Sequence, residues 1–243
     1  MTQALSPVQA NAAYEIVVEN LRRALLLGRF LPGEKLPPER ELALQLQVSR
    51  TTLREALRVL EGEGLIESKR GATGGILVKT PKLSKRESMA FLRSRINELR
   101  KLYEYREVIE VATVRLAAAH RTIEQLDRIE AALVKMRVLT GNKQEEDTPM
   151  VIARFLAADA EFHSAIAAAS GNEYLMSAVE DIRASKFLPV GAVFTKMDAK
   201  ANAGHEDMLT ALRERDADRA AELMVEHIRG TFEGICKLVG ATP

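Results

Sequence analysis

The stretch Leu36-Pro37-Pro38-Glu39-Arg40-Glu41-Leu42-Ala43, resuming as Val48-Ser49-Arg50-Thr51-Thr52-Leu53-Arg54-Glu55-Ala56-Leu57, decides the fold of the N-terminal part. Pro38 and Glu39 suit a first helical turn, where a missing N–H does no harm and a carboxylate meets the positive end of the helix dipole. Leu42, Ala43 and Leu46 recur on one face, so a short amphipathic helix ends near Gln47. Ser49 is a natural N-cap for a second helix, with Thr52 three residues on. Leu53, Ala56, Leu57 and Leu60 give that helix a stripe to bury, and Gly62 and Gly64 stop it. Off the stripe, Arg50, Thr51 and Arg54 cluster near the first turn, from which a recognition helix meets base edges and phosphates.

After the second glycine, Leu65 to Ser68 alternates like a strand, Lys69-Arg70-Gly71-Ala72-Thr73-Gly74-Gly75 makes a basic glycine-rich turn, and Ile76-Leu77-Val78 returns. That pattern is a β-hairpin. Two helices and a hairpin wing, led by a helix near Tyr14, resemble the winged helix-turn-helix domain of the GntR family of bacterial transcription regulators. The resemblance runs from about Tyr14 to Val78 and includes Gly28-Arg29-Phe30-Leu31-Pro32-Gly33-Glu34-Lys35-Leu36-Pro37. It implies that Arg40, Ser49, Arg50, Thr51, Thr52 and Arg54 contact DNA, with Lys69, Arg70 and Gly74 of the wing approaching the minor groove. The family's wing usually carries a single Gly-x-Gly; here Gly74 and Gly75 are adjacent.

A chain of 243 residues, 47% of them hydrophobic, is long enough for two ordinary domains. No apolar run approaches the ~20 residues of a membrane helix, and Met1 to Ala10 lacks the basic and apolar regions of a signal peptide, so a cytoplasmic protein is expected. Cys236 is the only cysteine; Phe232, Ile235 and Val239 at helical spacing make it a packed thiol. The formal charge of +1 conceals an asymmetry. Residues 1–101 carry 18 Lys and Arg against 11 Asp and Glu, a net +7, whereas residues 102–243 carry 17 against 23, a net −6. A basic front and an acidic back would orient the molecule on a polyanion. Much of the excess lies in Lys82, Lys85, Arg86, Arg93, Arg95, Arg100 and Lys101, which leaves open a linker touching phosphate or plain solvated charge.

The boundary falls near Pro81, giving a domain over residues 1–80 and another over 81–243. In the second, helical periods take over, with breaks near His120 to Thr122, Thr140 to Lys143, Gly171-Asn172 and Asp216 to Asp218, so a bundle of six or seven helices is expected. The fold class is therefore mainly α, with a small β-hairpin wing.

Three histidines of the bundle point where a helix should be apolar. Asp159 and His163 are four residues apart, about 40° round the axis, on the face of Phe155, Phe162 and Ile166. His205 precedes Met208, Leu209 and Leu212, and His227 lies among Leu223, Met224 and Ile228. One such histidine is ordinary hydrogen-bonded packing. Three with a carboxylate favour a mononuclear metal site, because neutral imidazole is the commonest metal ligand and a core carboxylate is costly unless paired or metal-bound. His120, just before the polar Arg121-Thr122, reads as a surface or capping residue. Arg106 shares a face with Leu99, Leu102, Tyr103 and Thr113, so its guanidinium must find an anion. Glu110 could supply it, or a small-molecule carboxylate held bidentately.

Asp159-x-x-Phe162-His163, then Ala168-Ala169-Ser170-Gly171-Asn172, His205 with Leu209 and Ala211-Leu212, and Ala220, Met224 and His227 resemble the FCD ligand-binding domain, the effector half of one GntR branch. The likeness spans about Leu83 to Val239. It implies that Asp159, His163, His205 and His227 ligate a metal and that Arg106 reaches an effector carboxylate. A complete ligand pattern disfavours the metal-free, acyl thioester-binding relatives. Zinc suits imidazole and carboxylate; nickel and manganese accept the same donors. Together the halves describe a homodimeric regulator, a repressor by expectation, that binds a palindromic operator in double-stranded DNA and responds to a small carboxylic acid. The rival reading is a metal-dependent hydrolase with Glu161 as general base. Glu161 sits about 200° round the helix from both Asp159 and His163, which disfavours it.

Overall fold

The structure is a computed structural model, and it describes residues 13–69, 74–79, 85–141, 148–185 and 200–243. It divides into two compact units, residues 1–25 with 32–80, and residues 26–31 with 81–243.

In the first unit, α1 (Ala13–Leu26) is followed by α2 (Glu39–Gln45), α3 (Arg50–Gly62) and an antiparallel pair, β1 (Ile66–Lys69) and β2 (Gly75–Val78). Ser49 caps α3 as the sequence indicates: its Oγ accepts from the Thr52 amide at 3.0 Å, satisfying one of the donors a helix start leaves free. The buried residues of α3 are Leu53, Ala56, Leu57 and Leu60, the anticipated stripe. Pro38 stands one position earlier than expected, as the extended residue before α2, and the helix starts at Glu39. Beyond α3, Gly64 adopts φ +74°, a left-handed conformation that turns the chain into β1. Glu63 beside it accepts from Arg22 Nη2 of α1 at 2.6 Å.

The hairpin has a further partner that sequence periodicity did not show. Gly33 and Leu36 donate to the Val78 and Ile76 carbonyls, both at 2.8 Å, and Val78 donates to Glu34 at 2.9 Å. The segment before α2 thus runs along β2 like a short third strand, burying Leu36 beside Ile76 and Val78. Proline and glycine flank only four residues here, too few to register a period of two.

The second unit is all helical among the described residues: α4 (Lys85–His120), α5 (Ile123–Gly141), α6 (Pro149–Ala169), α7 (Glu173–Ser185), α8 (Lys200–Glu214) and α9 (Ala217–Val239). Helix α4 packs along α9 and against α6, α7 and α8, while α5 packs on α6 and α8. Thr148 caps α6 ahead of Pro149, Asp216 caps α9, and Gly240 at φ +68° ends α9 in a left-handed C-cap. Phe162, Leu92, Ile129, Leu133 and Met136 are fully enclosed in the core, as is Cys236. Among the described residues, no helix is long and apolar enough to cross a membrane.

The basic residues after Pro81 do not form a loose charged linker where they are described. Arg93 donates to the Val239 carbonyl at 2.9 Å and Arg100 to that of Thr242 at 2.7 Å, fastening α4 to the C-terminal end of α9, and Arg95 pairs with Glu98. Lys82 and the Lys85 side chain lie outside the described residues.

Candidate nucleic-acid interface and metal centre

On the first unit, Arg40, Ser49, Arg50, Thr51 and Arg54 are exposed and Thr52 is half-buried. Two of these hydroxyls already have work in the fold: Ser49 Oγ lies 2.8 Å from Thr52 Oγ1 in addition to capping the helix. Arg54 Nε donates to Glu39 Oε2 at 2.9 Å, and Arg50 Nη2 approaches the same oxygen at 4.0 Å. Glu39 therefore pre-orders the two arginines over the start of α3. Sequence reading credited Glu39 only with the helix dipole, since a pair fifteen residues apart across a turn leaves no local signal. On the hairpin, Lys69 is exposed and Gly74 half-buried; Arg70 and the tip at Gly71 lie outside the described residues.

In the helical unit the four anticipated ligands converge. Asp159 and His163 come from α6, His205 from α8 and His227 from α9, and one ligand atom from each lies within 4.8 Å of all the others. The rings of His205 and His227 are 4.5 Å apart, those of His163 and His227 5.1 Å, and Phe162 stacks edge-on against His205 at 4.8 Å. Asp159 Oδ1 faces both His163 Nε2, at 3.6 Å, and His205 Nε2, at 3.3 Å. Among the described residues, neither His163 nor His205 makes an aligned hydrogen bond through either ring nitrogen, although both residues are buried. Buried polar atoms are nearly always satisfied, and a bound cation would satisfy one nitrogen of each ring beside the Asp159 carboxylate.

The protonation states suit the same purpose. Burial holds His227 well below the usual imidazole range, helped by the neighbouring His163 and His205. Burial also lowers His163, outweighing the adjacent Glu110. Burial by itself would raise Asp159, but Arg183 and the approach of the two histidines hold it well below the usual carboxylate range. For His163, His227 and Asp159 these are the donor forms, neutral imidazole and ionised carboxylate, that a divalent ion takes.

Around the quartet lies a shell that the sequence disclosed only in part. Arg106 is fully buried, and its Nε donates to Glu110 Oε1 at 2.5 Å, so the internal partner is the one realised. Glu110 Oε2 in turn lies 2.5 Å from His163 Nδ1, a close approach without hydrogen-bond alignment. Burial would raise Glu110, yet Arg106 and His163 keep it well below the usual range. Among the described residues, the two terminal nitrogens of Arg106 have no hydrogen-bond partner. Arg183 of α7 is buried and pairs with Asp159 Oδ2. Nothing in the sequence singled it out: it is twenty-four residues from Asp159 and looks like an ordinary helix-ending arginine.

Glu161 points away from the quartet and pairs with Lys135 at 2.7 Å on the surface. The general base that a metal hydrolase needs does not come from that residue. His120 ends α4 with Nδ1 2.9 Å from the Ser170 carbonyl, a structural role.

Residues 13–76 match the family model for bacterial regulatory proteins, gntR family, and residues 101–230 match the FCD domain. RmpR of Mycobacterium gastri, named as an HTH-type transcriptional regulator, is 31% identical over 221 residues, with 88% of this chain and 77% of its own length covered. The HTH-type transcriptional repressor NanR of Cronobacter sakazakii is 30% identical, covering 93% and 86%. A solved structure of E. coli McbR/YncC superposes with TM-score 0.53 at 20% identity, covering 94% of this chain and 99% of that one, a likeness of fold. RmpR and NanR are named as transcriptional regulators, and the family matched is one of bacterial regulatory proteins, not of enzymes. The chain belongs to the GntR family of DNA-binding bacterial transcription regulators, in the branch whose C-terminal half is an FCD domain.

Proposed function

We propose that this regulator binds a palindromic operator as a homodimer and that a small carboxylate, received in the helical unit beside a divalent metal ion, modulates that binding. The observation that carries the effector half is the quartet itself: four ligand atoms within 4.8 Å of one another, set beside a fully buried Arg106 with two unpartnered nitrogens. A divalent ion held by Asp159, His163, His205 and His227 would supply a Lewis-acidic anchor for a carboxylate; zinc fits the donor set, and nickel or manganese would accept it. Arg106 would take the remaining carboxylate oxygens through its free nitrogens, while Glu110 holds its Nε.

Operator contacts fall to Arg40, Arg50, Thr51 and Arg54, with Ser49 and Thr52 ordering the start of α3 and Lys69, Arg70 and Gly74 reaching for the minor groove. Arg106 and Glu110 lie on α4, the helix that follows the wing in the chain, and Glu110 faces His163 of α6. Ligand binding would thus act on how α4 packs against α6. Coupling of ~1–3 kcal/mol would change operator occupancy by roughly 5–150-fold. NanR, a relative 30% identical, is named a repressor, which supports that sign here.

The deciding experiment pairs elemental analysis with a thermal-shift screen. Protein purified without chelators should hold one divalent ion per chain, and His163→Ala and His205→Ala should lose it. Small carboxylates should then raise the melting temperature of the loaded protein by mass action. Full metal content in both variants would make the quartet mere packing.

A further inference from the structure

We propose that Arg183 is a second anion-binding side chain of this site and that the molecule it accommodates is a small dianion, a dicarboxylate foremost, rather than a monocarboxylate. This rests on the metal-and-carboxylate reading above and narrows it to a class of ligand.

Buried charge decides the class of ligand. Arg106 and Arg183 are both buried, as are Glu110 and Asp159. Arg106 pairs with Glu110 and Arg183 with Asp159, so two guanidiniums and two carboxylates cancel. Without a metal these four charged side chains sum to zero. A divalent ion on the quartet leaves it with two uncompensated positive charges in a region walled off by Phe162, Tyr103 and Leu99. Net charge in such surroundings is expensive unless matched. A monocarboxylate cancels half of it, and a dianion cancels all.

Orphaned donors supply the second, independent mark of a ligand. Among the described residues, Arg106 Nη1 and Nη2 and Arg183 Nη1 are buried without a hydrogen-bond partner. Each guanidinium spends one face on its internal carboxylate and keeps another face free. Arg106 reaches the quartet through Glu110 and His163, and Arg183 reaches it through Asp159. Two guanidinium forks match two acidic groups.

The test uses the full-length chain loaded with zinc, with succinate and propionate as probes at matched ionic strength and zinc retention checked by elemental analysis after titration. Calorimetric titration should give succinate a Kd at least about tenfold below that of propionate, a ratio corresponding to ~1.4 kcal/mol. The advantage should vanish in metal-free protein, where the two guanidiniums and two carboxylates already cancel. Arg183→Met should abolish or invert it, and Arg183→Lys, which keeps the charge and protects against misfolding, should retain it. Equal affinity for the two acids in wild-type protein, or a succinate preference that survives Arg183→Met, would overturn the proposal while leaving a carboxylate-binding metal site standing. If zinc is held but neither acid binds at millimolar concentration, the effector reading fails along with it.

Discussion

Replacing Glu110 by leucine should damage the helical unit severely, and replacing Arg106 by methionine at the same time should repair most of the damage. Arg106 Nε and Glu110 Oε1 are 2.5 Å apart with both side chains almost wholly excluded from solvent, at 0% and 2% exposure. Two unit charges at that separation attract by ~6–7 kcal/mol at an effective dielectric of about 20, an upper bound since each charge is spread over several atoms. Removal of one partner strands the other in the core, and such losses run ~3–5 kcal/mol, whereas replacing both partners with apolar groups is commonly near neutral. Each single variant should therefore lose about 3–5 kcal/mol and the double variant far less, a coupling of ~3 kcal/mol or more. Urea unfolding followed by helical circular dichroism, with EDTA present to remove metal linkage, reads this directly. The two units can unfold separately, so the transition of the helical unit is the one compared. Additive losses in the double variant would refute the idea that the pair compensates itself internally.

Other expectations concern both units. Arg54→Ala and Arg50→Ala should each weaken operator binding and reduce the steepness of its salt dependence by about one phosphate contact, measured by fluorescence anisotropy across a KCl series; Arg213→Ala, which breaks a surface pair with Glu130, serves as the unaffected control. Ser49→Ala should cost the first unit ~1 kcal/mol through loss of the α3 cap, and Ser49→Asp should restore thermal stability without restoring specific DNA affinity. Glu107 is held below the usual carboxylate range by hydrogen bonds from Arg229. Its contribution should be fully present at neutral pH and fade as pH falls below about 4.3, so melting curves of wild-type protein and Glu107→Gln should converge on acidification; a gap that widens there would reverse the assignment.

Much of the first unit was legible in the sequence because its signals are local. The Ser49 cap, the stripe Leu53, Ala56, Leu57 and Leu60, and the glycines that turn the chain into the hairpin act within a few residues of themselves. Asp159 and His163 were legible for the same reason, since a spacing of four puts both on one helical face whatever surrounds it. His205 and His227 showed as polar breaks in apolar stripes, which marks a side chain aimed inward but says nothing of what it meets.

What it meets is a matter of packing. Only the approach of α8 and α9 to α6 brings three imidazoles around one carboxylate, and only the placement of α7 delivers Arg183 to its second oxygen. The same holds for Glu39 beneath Arg54 and for Gly33 to Leu36 beside β2. Periodicity determines which face of an element turns inward, because that depends on a helical or strand repeat along one segment. Which charges end up neighbours across the interior depends on how whole segments dock, so the pairing of four buried ions became visible only in three dimensions.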